Sequence, residues 1–360
     1  AVAGTRSRHA AVTSTGYGRS VVPSWRRAYP NPQRCGPGSV RAVNAYLLVG
    51  IGLFALIVGA EALVAGGSEL AARMGVSPMI VGMTVVSIGT SLPELAVGID
   101  AARSGSGPLA VGNIVGTNMV NLLLILGLSA AIVPLALRRR TIKIDLPTIV
   151  ACAVLLWVLA ADGELTARDG LVLLAVAIAY TAVVLRVELR GRGDPGATDI
   201  EIEEDDRRHG SVAWDAGRLI VGIAIILVGA VWLVDGSVRV ATDLGVSEAV
   251  IGLTVVAIGT SAPELVTTMV ATVRGDRDLA IGNLFGSSIY NVALILGVTA
   301  LVAPIGVTDE LVNVDIPLMI AVTLVLVPVF ITGRRISRAE GIGFVTAYLV
   351  YLGAVILFQA

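Results

Sequence analysis

Two stretches carry residue types that can do chemistry. Ser87-Ile88-Gly89-Thr90-Ser91-Leu92-Pro93-Glu94 lies inside one apolar run, and Ala257-Ile258-Gly259-Thr260-Ser261-Ala262-Pro263-Glu264 lies inside another. In the first, Ser87, Thr90, Ser91 and Glu94 stand at i, i+3, i+4 and i+7, which is one face of a helix. Pro93 has no N–H, so the carbonyl of Gly89 loses its helical partner, and glycine lets the backbone loosen at that level. The result is a local store of oxygen: backbone carbonyls, two hydroxyls and a carboxylate. The stretch GNIVGTNMVN adds Thr117 and Asn121 at i, i+4, and GNLFGSSIYN adds Ser287 and Asn291 at the same spacing.

These donors are hard oxygens with no thiolate or imidazole among them, which selects Ca2+ and Na+ over transition metals. Calcium takes about six to eight oxygens, more than one stretch supplies and within reach of two facing ones. Glu94 and Glu264 together offset the charge of one Ca2+ or of about two Na+. A cation and a proton compete for such carboxylates, so one site is able to exchange one ion for another. The blander alternatives are close helix packing for Gly-Thr-Ser and a kink with a snorkelling acid for Pro-Glu. Intramembrane acids are rare and mostly functional, and the whole set occurs twice.

The elements that position these residues follow from composition. Hydrophobic residues make up 55% of the 360 and charged residues 15%; a soluble domain carries about a quarter charged, so this is an integral membrane protein. A net charge of −1 gives no basic surface for nucleic acid. Cys35 and Cys152 cannot form a disulfide framework or a Cys-rich metal site, and His9 and His209 lie in polar segments, which argues against zinc or haem. No GxxxxGK[ST] motif is present, which excludes a P-loop ATP-driven pump. No catalytic group, cofactor or obligatory protein partner is indicated, and the lipid bilayer is the expected surrounding.

At about 20 residues per bilayer span, apolar segments fall near 45–72, 78–103, 109–134, 146–161 and 170–190, then near 217–242, 248–273, 279–303, 314–332 and 341–358. The first and sixth exceed a perpendicular span and are expected to tilt. One alternating set of connections holds most of the cations, among them Arg73, Arg138, Arg139, Arg140, Lys143, Arg186, Arg190, Arg218, Arg274, Arg277, Arg334 and Arg335. The other set holds Arg103, Arg168 and Arg239. The positive-inside rule places the first set in the cytoplasm and both termini outside a cell membrane. Residues 191–215, with GRGDPG and DIEIEEDDRRH, read as a cytoplasmic linker; residues 1–43, Arg- and Ser-rich without an acid, read as a disordered or non-native extension.

A repeat runs through the chain. Adding 170 takes Thr90, Ser91, Pro93 and Glu94 to Thr260, Ser261, Pro263 and Glu264, Asn113 to Asn283, Asn121 to Asn291, and Asp145-Leu146-Pro147 to Asp315-Ile316-Pro317. Each repeat holds five spans, an odd number, so the second enters the membrane from the opposite side. The expected fold is therefore all-α, with ten transmembrane helices in two inverted-topology repeats, 44–190 and 216–360, an architecture of alternating-access transporters. Glu61 and Asp235 have no charged counterpart at this offset and read as interfacial or structural. Asn113 and Asn283 are candidates either for ion ligation or for bonding to broken backbone. Asp145 and Asp315 read as helix-start residues.

GTSLPEL, GTSAPEL, GNIVGTNMVN and GNLFGSSIYN together resemble the two alpha repeats of the sodium/calcium exchanger family, in the cation/Ca2+ exchanger superfamily, over nearly everything after residue 43. The resemblance implies ten helices, the second, third, seventh and eighth forming a central ion site, and long first and sixth helices that slide to alternate access. It implies a ligand set of Ser87 (by its carbonyl), Thr90, Ser91, Glu94, Thr117 and Asn121, with Ala257 (carbonyl), Thr260, Ser261, Glu264, Ser287 and Asn291. Many members have aspartate where this chain has Asn291, and alanine where it has Ser87. With one ionisable group fewer, no stoichiometry and no K+ co-transport carry over. The large regulatory loop of animal members is missing, so no cytoplasmic Ca2+-binding domain is expected. The expected function is exchange of Ca2+ for Na+. The alternatives are a Ca2+/H+ antiporter using the same paired glutamates and, from other classes, a gated cation channel or a membrane scaffold.

Overall fold

The structure, a computed structural model, describes residues 38–138, 140–191, 211–246, 257–333 and 335–359. Residues 1–37 of the expected extension and 192–210 of the expected linker lie outside this set. So does 247–256, the opening of the expected seventh span.

Helices form wherever the apolar runs allow. They are α1 (Gly38–Met74), α2 (Pro78–Thr90), α3 (Leu92–Arg103), α4 (Gly107–Ile132), α5 (Thr141–Leu159), α6 (Ala167–Gly191) and α7 (Val212–Asp243). They continue as α8 (Ala257–Thr260), α9 (Ala262–Arg274), α10 (Arg277–Val302), α11 (a π turn at Leu311–Asp315 running into Ile316–Gly333) and α12 (Arg338–Gln359). Among the described residues, seven helices are long and apolar enough to cross a membrane, and the pair α2–α3, bent by 41°, makes an eighth. The protein is thus all-helical and of the membrane type.

Several boundaries differ from the sequence reading for identifiable reasons. α1 begins at Gly38, so the last six residues of the 1–43 segment are helical. α7 begins at Val212, five residues early, because the Ser211 hydroxyl accepts from the Trp214 amide at 3.2 Å and caps the first turn. α6 and α12 open with capping boxes: Asp169 accepts from the Thr166 amide at 2.8 Å, and Glu340 accepts from the Ser337 amide at 2.7 Å. Asp145 is not a helix-start cap. The helix begins earlier, with a π turn over Thr141–Asp145, and Asp145 is fully buried, accepting from the Tyr180 hydroxyl at 3.2 Å with Arg140 4.0 Å away. Asp315 holds the same place at the end of the π turn Leu311–Asp315.

Packing couples the two halves throughout. α4 and α10 are the central helices, each with 78% of its apolar window buried against 22–39% for the other counted helices. They cross where Asn118 Nδ2 donates to the Ser288 carbonyl at 3.2 Å, two positions related by the offset of 170. Strand β1 (Leu135–Ala136) pairs antiparallel with β4 (Arg335–Ile336), and β2 (Glu164–Leu165) with β3 (Ile305–Gly306). Likewise α12 packs on the end of α4, and α6 on the end of α10. Each half therefore completes the other.

The 37-residue α1 and 32-residue α7 lie antiparallel along much of their length. Glycines permit it: a Cβ on Gly59 would stand 2.9 Å from the Gly222 carbonyl, and one on Gly222 would stand 2.5 Å from the Leu63 amide. Such contact is the small-residue packing that serves in membranes, where apolar surface alone does not drive helices together. Arg73 pairs with Asp215, and Arg218 with Glu69 at 3.1 Å, at one end of the pair. Glu61 forms an ion pair with Arg274, and Asp235 forms one with Arg239 at 2.6 Å.

This contact is testable. Gly59→Val or Gly222→Val drives a side chain into backbone and is expected to destabilise the protein by at least about 1–3 kcal/mol. Gly217→Ala, with nothing within 4 Å of the added carbon, is expected to be neutral. Thermal unfolding in detergent distinguishes them; equal melting of all three would mean that α1 and α7 are not in backbone contact.

Candidate functional site

Both proline-bearing stretches break their helix at the same place and in the same way. Ser91 separates α2 from α3 with φ −85° and ψ 8°, and Ser261 separates α8 from α9 with φ −85° and ψ 3°. In each case the proline stands at the second position of the new helix, where a missing N–H costs least. The bend carries Glu94 and Glu264 into the first turns of α3 and α9. Both carboxylates are fully buried.

The short hydroxyl side chains need helices in close contact to meet across them. Gly82 and Gly282 supply that contact reciprocally: a Cβ on Gly82 would lie 2.5 Å from the Leu279 carbonyl, and one on Gly282 would lie 2.4 Å from the Met79 carbonyl. α2 and α10 thus touch backbone to backbone. The Ser87 hydroxyl donates to the Gly82 carbonyl at 2.6 Å and lies 3.2 Å from the Asn283 carbonyl, so it is spent on structure and leaves the Ser87 carbonyl as its contribution to any site.

The two halves meet at the carboxylates. Ser91 Oγ donates to Glu264 Oε1 at 3.2 Å, and the Glu94 carboxylate lies within electrostatic range of Glu264. Among the described residues, neither Glu94 oxygen is met by another residue's donor, and Glu264 Oε2 has no hydrogen-bond partner. The Thr90 hydroxyl faces the Glu264 carboxylate and lies 3.4 Å from both the Ser87 carbonyl and Asn283 Oδ1. On the central helices Thr117, Asn121, Ser287 and Asn291 are buried, and Ser287 Oγ and both amide atoms of Asn121 and Asn291 have no partner among the described residues. Buried polar atoms in folded proteins are nearly always satisfied, so this concentration makes the place the candidate site of the molecule.

Of the expected set, Ser87, Thr90, Ser91 and Glu264 are joined by direct contacts, with Glu94 beside them. In the second half, Ser261 is buried at its bend, Thr260 is half-buried in the turn before it, and Ala257 opens α8. Two features escaped the sequence. Asn283 bonds to side chains rather than to broken backbone: its Nδ2 donates to Thr268 Oγ1 at 3.1 Å. And α4 and α10 are wound as π-helix over Val120–Ile125 and Asn291–Leu296, which carries an extra residue per turn and re-aims the side chains there. No residue pattern announces a π turn, whereas the Thr268 contact had a signal in the buried threonines that follow Glu264.

The model of the family described as "Sodium/calcium exchanger protein" matches the chain twice, over residues 44–186 and 214–357. The chain belongs to the sodium/calcium exchanger family. It is 35% identical over 311 residues to a protein named CaxA from Alkalimonas amylolytica, covering 85% of this chain and 97% of that one. It is 32% identical over 345 residues to the sodium/calcium exchanger MaX1 of Methanosarcina acetivorans, covering 87% and 98%. Among solved structures it resembles the sodium-calcium exchanger NCX_Mj soaked with Na+ and Sr2+, with a TM-score of 0.75 and 30% identity over 87% of this chain and 98% of that one. The names of CaxA, called an antiporter, and of the exchanger MaX1 refer to moving ions, not to a chemical transformation.

The unpartnered state of Glu94 has a consequence for stability. Because no other described residue's donor meets its carboxylate, Glu94→Gln is expected to melt no lower than the parent protein in cation-free detergent solution. A clear drop in melting temperature would show that the carboxylate holds the fold together through a protein contact.

Proposed function

We propose that this chain is a secondary antiporter that exchanges Ca2+ for Na+ across the membrane by alternating access, both ions binding in turn at a central site between the halves. The observation that carries the reading is the pair of fully buried carboxylates, one from each half, with Ser91 of the first half donating to Glu264 of the second and with three carboxylate oxygens that no other described residue satisfies. The ligands would be Glu94 and Glu264, the hydroxyls of Thr90, Ser91, Thr260 and Ser261, the carbonyls of Ser87 and Ala257, and Thr117, Asn121, Ser287 and Asn291. All are hard oxygen donors, suited to Ca2+ and Na+.

The physical logic of exchange follows from burial. Two carboxylates in an apolar interior are costly when empty, and a cation between them removes most of that cost. Rearrangement of the halves is then favoured with the site filled, by Ca2+ or by Na+, over passage with the site empty. Coupling of the two ions requires no more than that.

The reading includes ten spans in two inverted repeats, 44–190 and 216–360, joined by a cytoplasmic linker at 191–215. Contacts among the connections support it. Arg138 pairs with Asp278, and Arg140 lies 3.7 Å from Glu188, which accepts from the Ser77 amide at 2.7 Å. These groups all belong to the arginine-rich set of connections, so that set gathers in space as it must if it lies on one membrane face. The β2–β3 pair joins two connections of the other set. On the positive-inside rule the first face is cytoplasmic.

The test is flux in sodium-loaded liposomes diluted into sodium-free buffer containing Ca2+. Uptake is expected to require internal Na+ and to fall at least about a hundredfold in Glu94→Gln and Glu264→Gln, as for loss of a charged ligand from a buried site. Uptake driven by a proton gradient without sodium would assign the chain to Ca2+/H+ exchange, a reading that the amide at Asn291 favours. Currents far above turnover-limited flux would make it a channel, and undiminished flux in both variants would remove the paired glutamates from the mechanism.

A further inference from the structure

The Thr90 hydroxyl has one hydrogen and, besides the Glu264 carboxylate that it faces, two neutral acceptors, the Ser87 carbonyl on its own helix and Asn283 Oδ1 on α10, both at 3.4 Å. A cation between Thr90 and Glu264 needs the hydroxyl's lone pairs, so the hydrogen must turn away from it. Which acceptor takes that hydrogen then matters. Given to the Ser87 carbonyl, it occupies a second oxygen that the cation would use. Given to Asn283, it leaves both the Thr90 hydroxyl oxygen and the Ser87 carbonyl open. Asn283 is held for this role: it is fully buried, and its Nδ2 donates to Thr268 Oγ1 at 3.1 Å.

We propose that Asn283, braced by Thr268, is a positioning residue that draws the Thr90 hydrogen across to α10 and thereby frees two cation ligands, the Thr90 hydroxyl oxygen and the Ser87 carbonyl. The chain of bonds runs one way, Thr90 donating to Asn283 and Asn283 donating to Thr268. The other half lacks the brace. At the offset of 170, Asn283 corresponds to Asn113 and Thr268 to Gly98, and Asn113 Nδ2 is buried without a partner among the described residues. A side chain at Gly98 would also meet Thr299 Oγ1, 2.9 Å from the Cβ position, so threonine does not fit there as it does at 268. The two halves therefore offer the cation unequal ligands: a pre-oriented Thr90 with an open Ser87 carbonyl on one side, and an unbraced asparagine on the other.

The proposal rests on the reading of Ser87 and Thr90 as ligands. It is tested with 45Ca2+ binding to the purified protein and with Na+-driven Ca2+ uptake in liposomes, for the parent, Asn283→Leu, Thr268→Val, Thr268→Ser and Glu264→Gln. Asn283→Leu is expected to raise the half-saturating Ca2+ concentration about tenfold, the ratio equivalent to one net hydrogen bond. Thr268→Val is expected to raise it about threefold by the same reasoning, with maximal rate and melting temperature near those of the parent, and Thr268→Ser is expected to restore parental half-saturation. Should Asn283→Leu fail to fold, the Thr268 pair carries the test. Unchanged half-saturation in Thr268→Val, with binding lost in Glu264→Gln, would overturn the positioning role alone. Equal weakening in Thr268→Val and Thr268→Ser, or a fall in rate and melting temperature with half-saturation intact, would reduce it to packing. A parent protein that binds no Ca2+ would overturn the ligand reading and this one together.

Discussion

An ionised carboxylate taken from water into an apolar interior loses more solvation than any single hydrogen bond returns, and Glu94 and Glu264 are both fully buried. Much of the surrounding structure can be understood from that constraint. The groups around the carboxylates are hydroxyls and amides on short side chains, which reach across only where helix backbones touch. Backbone contact needs glycine, and Gly82 and Gly282 provide it where α2 crosses α10. The proline-broken turns at Ser91 and Ser261 then place each carboxylate at the start of a new helix, beside backbone groups that a continuous helix would have used internally. Acid, proline and glycine are thus parts of one device, and none of them suits a membrane helix alone.

On the proposed reading, the duplication explains how so small a set of residues makes a site. One half supplies one carboxylate and too few oxygens to enclose a cation; two halves facing each other supply both. The halves are held in that relation by contacts made crosswise. β1 pairs with β4, β2 pairs with β3, and Asn118 meets Ser288 at the crossing of the two central helices. Crosswise contact means that neither half has a complete core without the other, so the site's geometry is tied to the cooperativity of the whole fold rather than to the local stability of two bends.

What could be read in advance was whatever has a period or a fixed chemical signature. The repeat at 170 announced that Ser91 and Ser261 would do the same thing, and they do so to within a few degrees of ψ. Hydropathy located the described helices, with α1 the widest miss, expected from 45 and found from Gly38; the capping box of Thr166 with Asp169 has a sequence signature but emerged only from the structure. The losses were of two kinds. The π turns over Val120–Ile125 and Asn291–Leu296 arise from tertiary packing and have no composition of their own. Asp145 stood before a proline and so resembled a cap, but a π turn extended the helix past it, and Tyr180 and Arg140, distant in the chain, decide its surroundings. Long-range partners are what a single sequence shows least.

The departures from the repeat carry physical content of their own. Where one half sets Arg140 beside Asp145, the other sets Glu310 beside Asp315, an attractive pair against a repulsive one. Where one half has Thr268 to hold an asparagine, the other has Gly98. Two identical halves related by an exchange of roles would have two conformations of equal energy, and no preference for the face on which a site opens. Differences of a few kcal/mol are enough to make one conformation dominant, because about 1.4 kcal/mol already shifts a two-state population tenfold. Interhelical ion pairs are concentrated on the arginine-rich connections, at Arg73, Arg138, Arg140 and Arg218, whereas the described ion pair at the far end of α7, Arg239 with Asp235, stays within one helix. On the proposed reading, the repeat builds the site, and the residues that break the repeat would set the resting balance between its two faces.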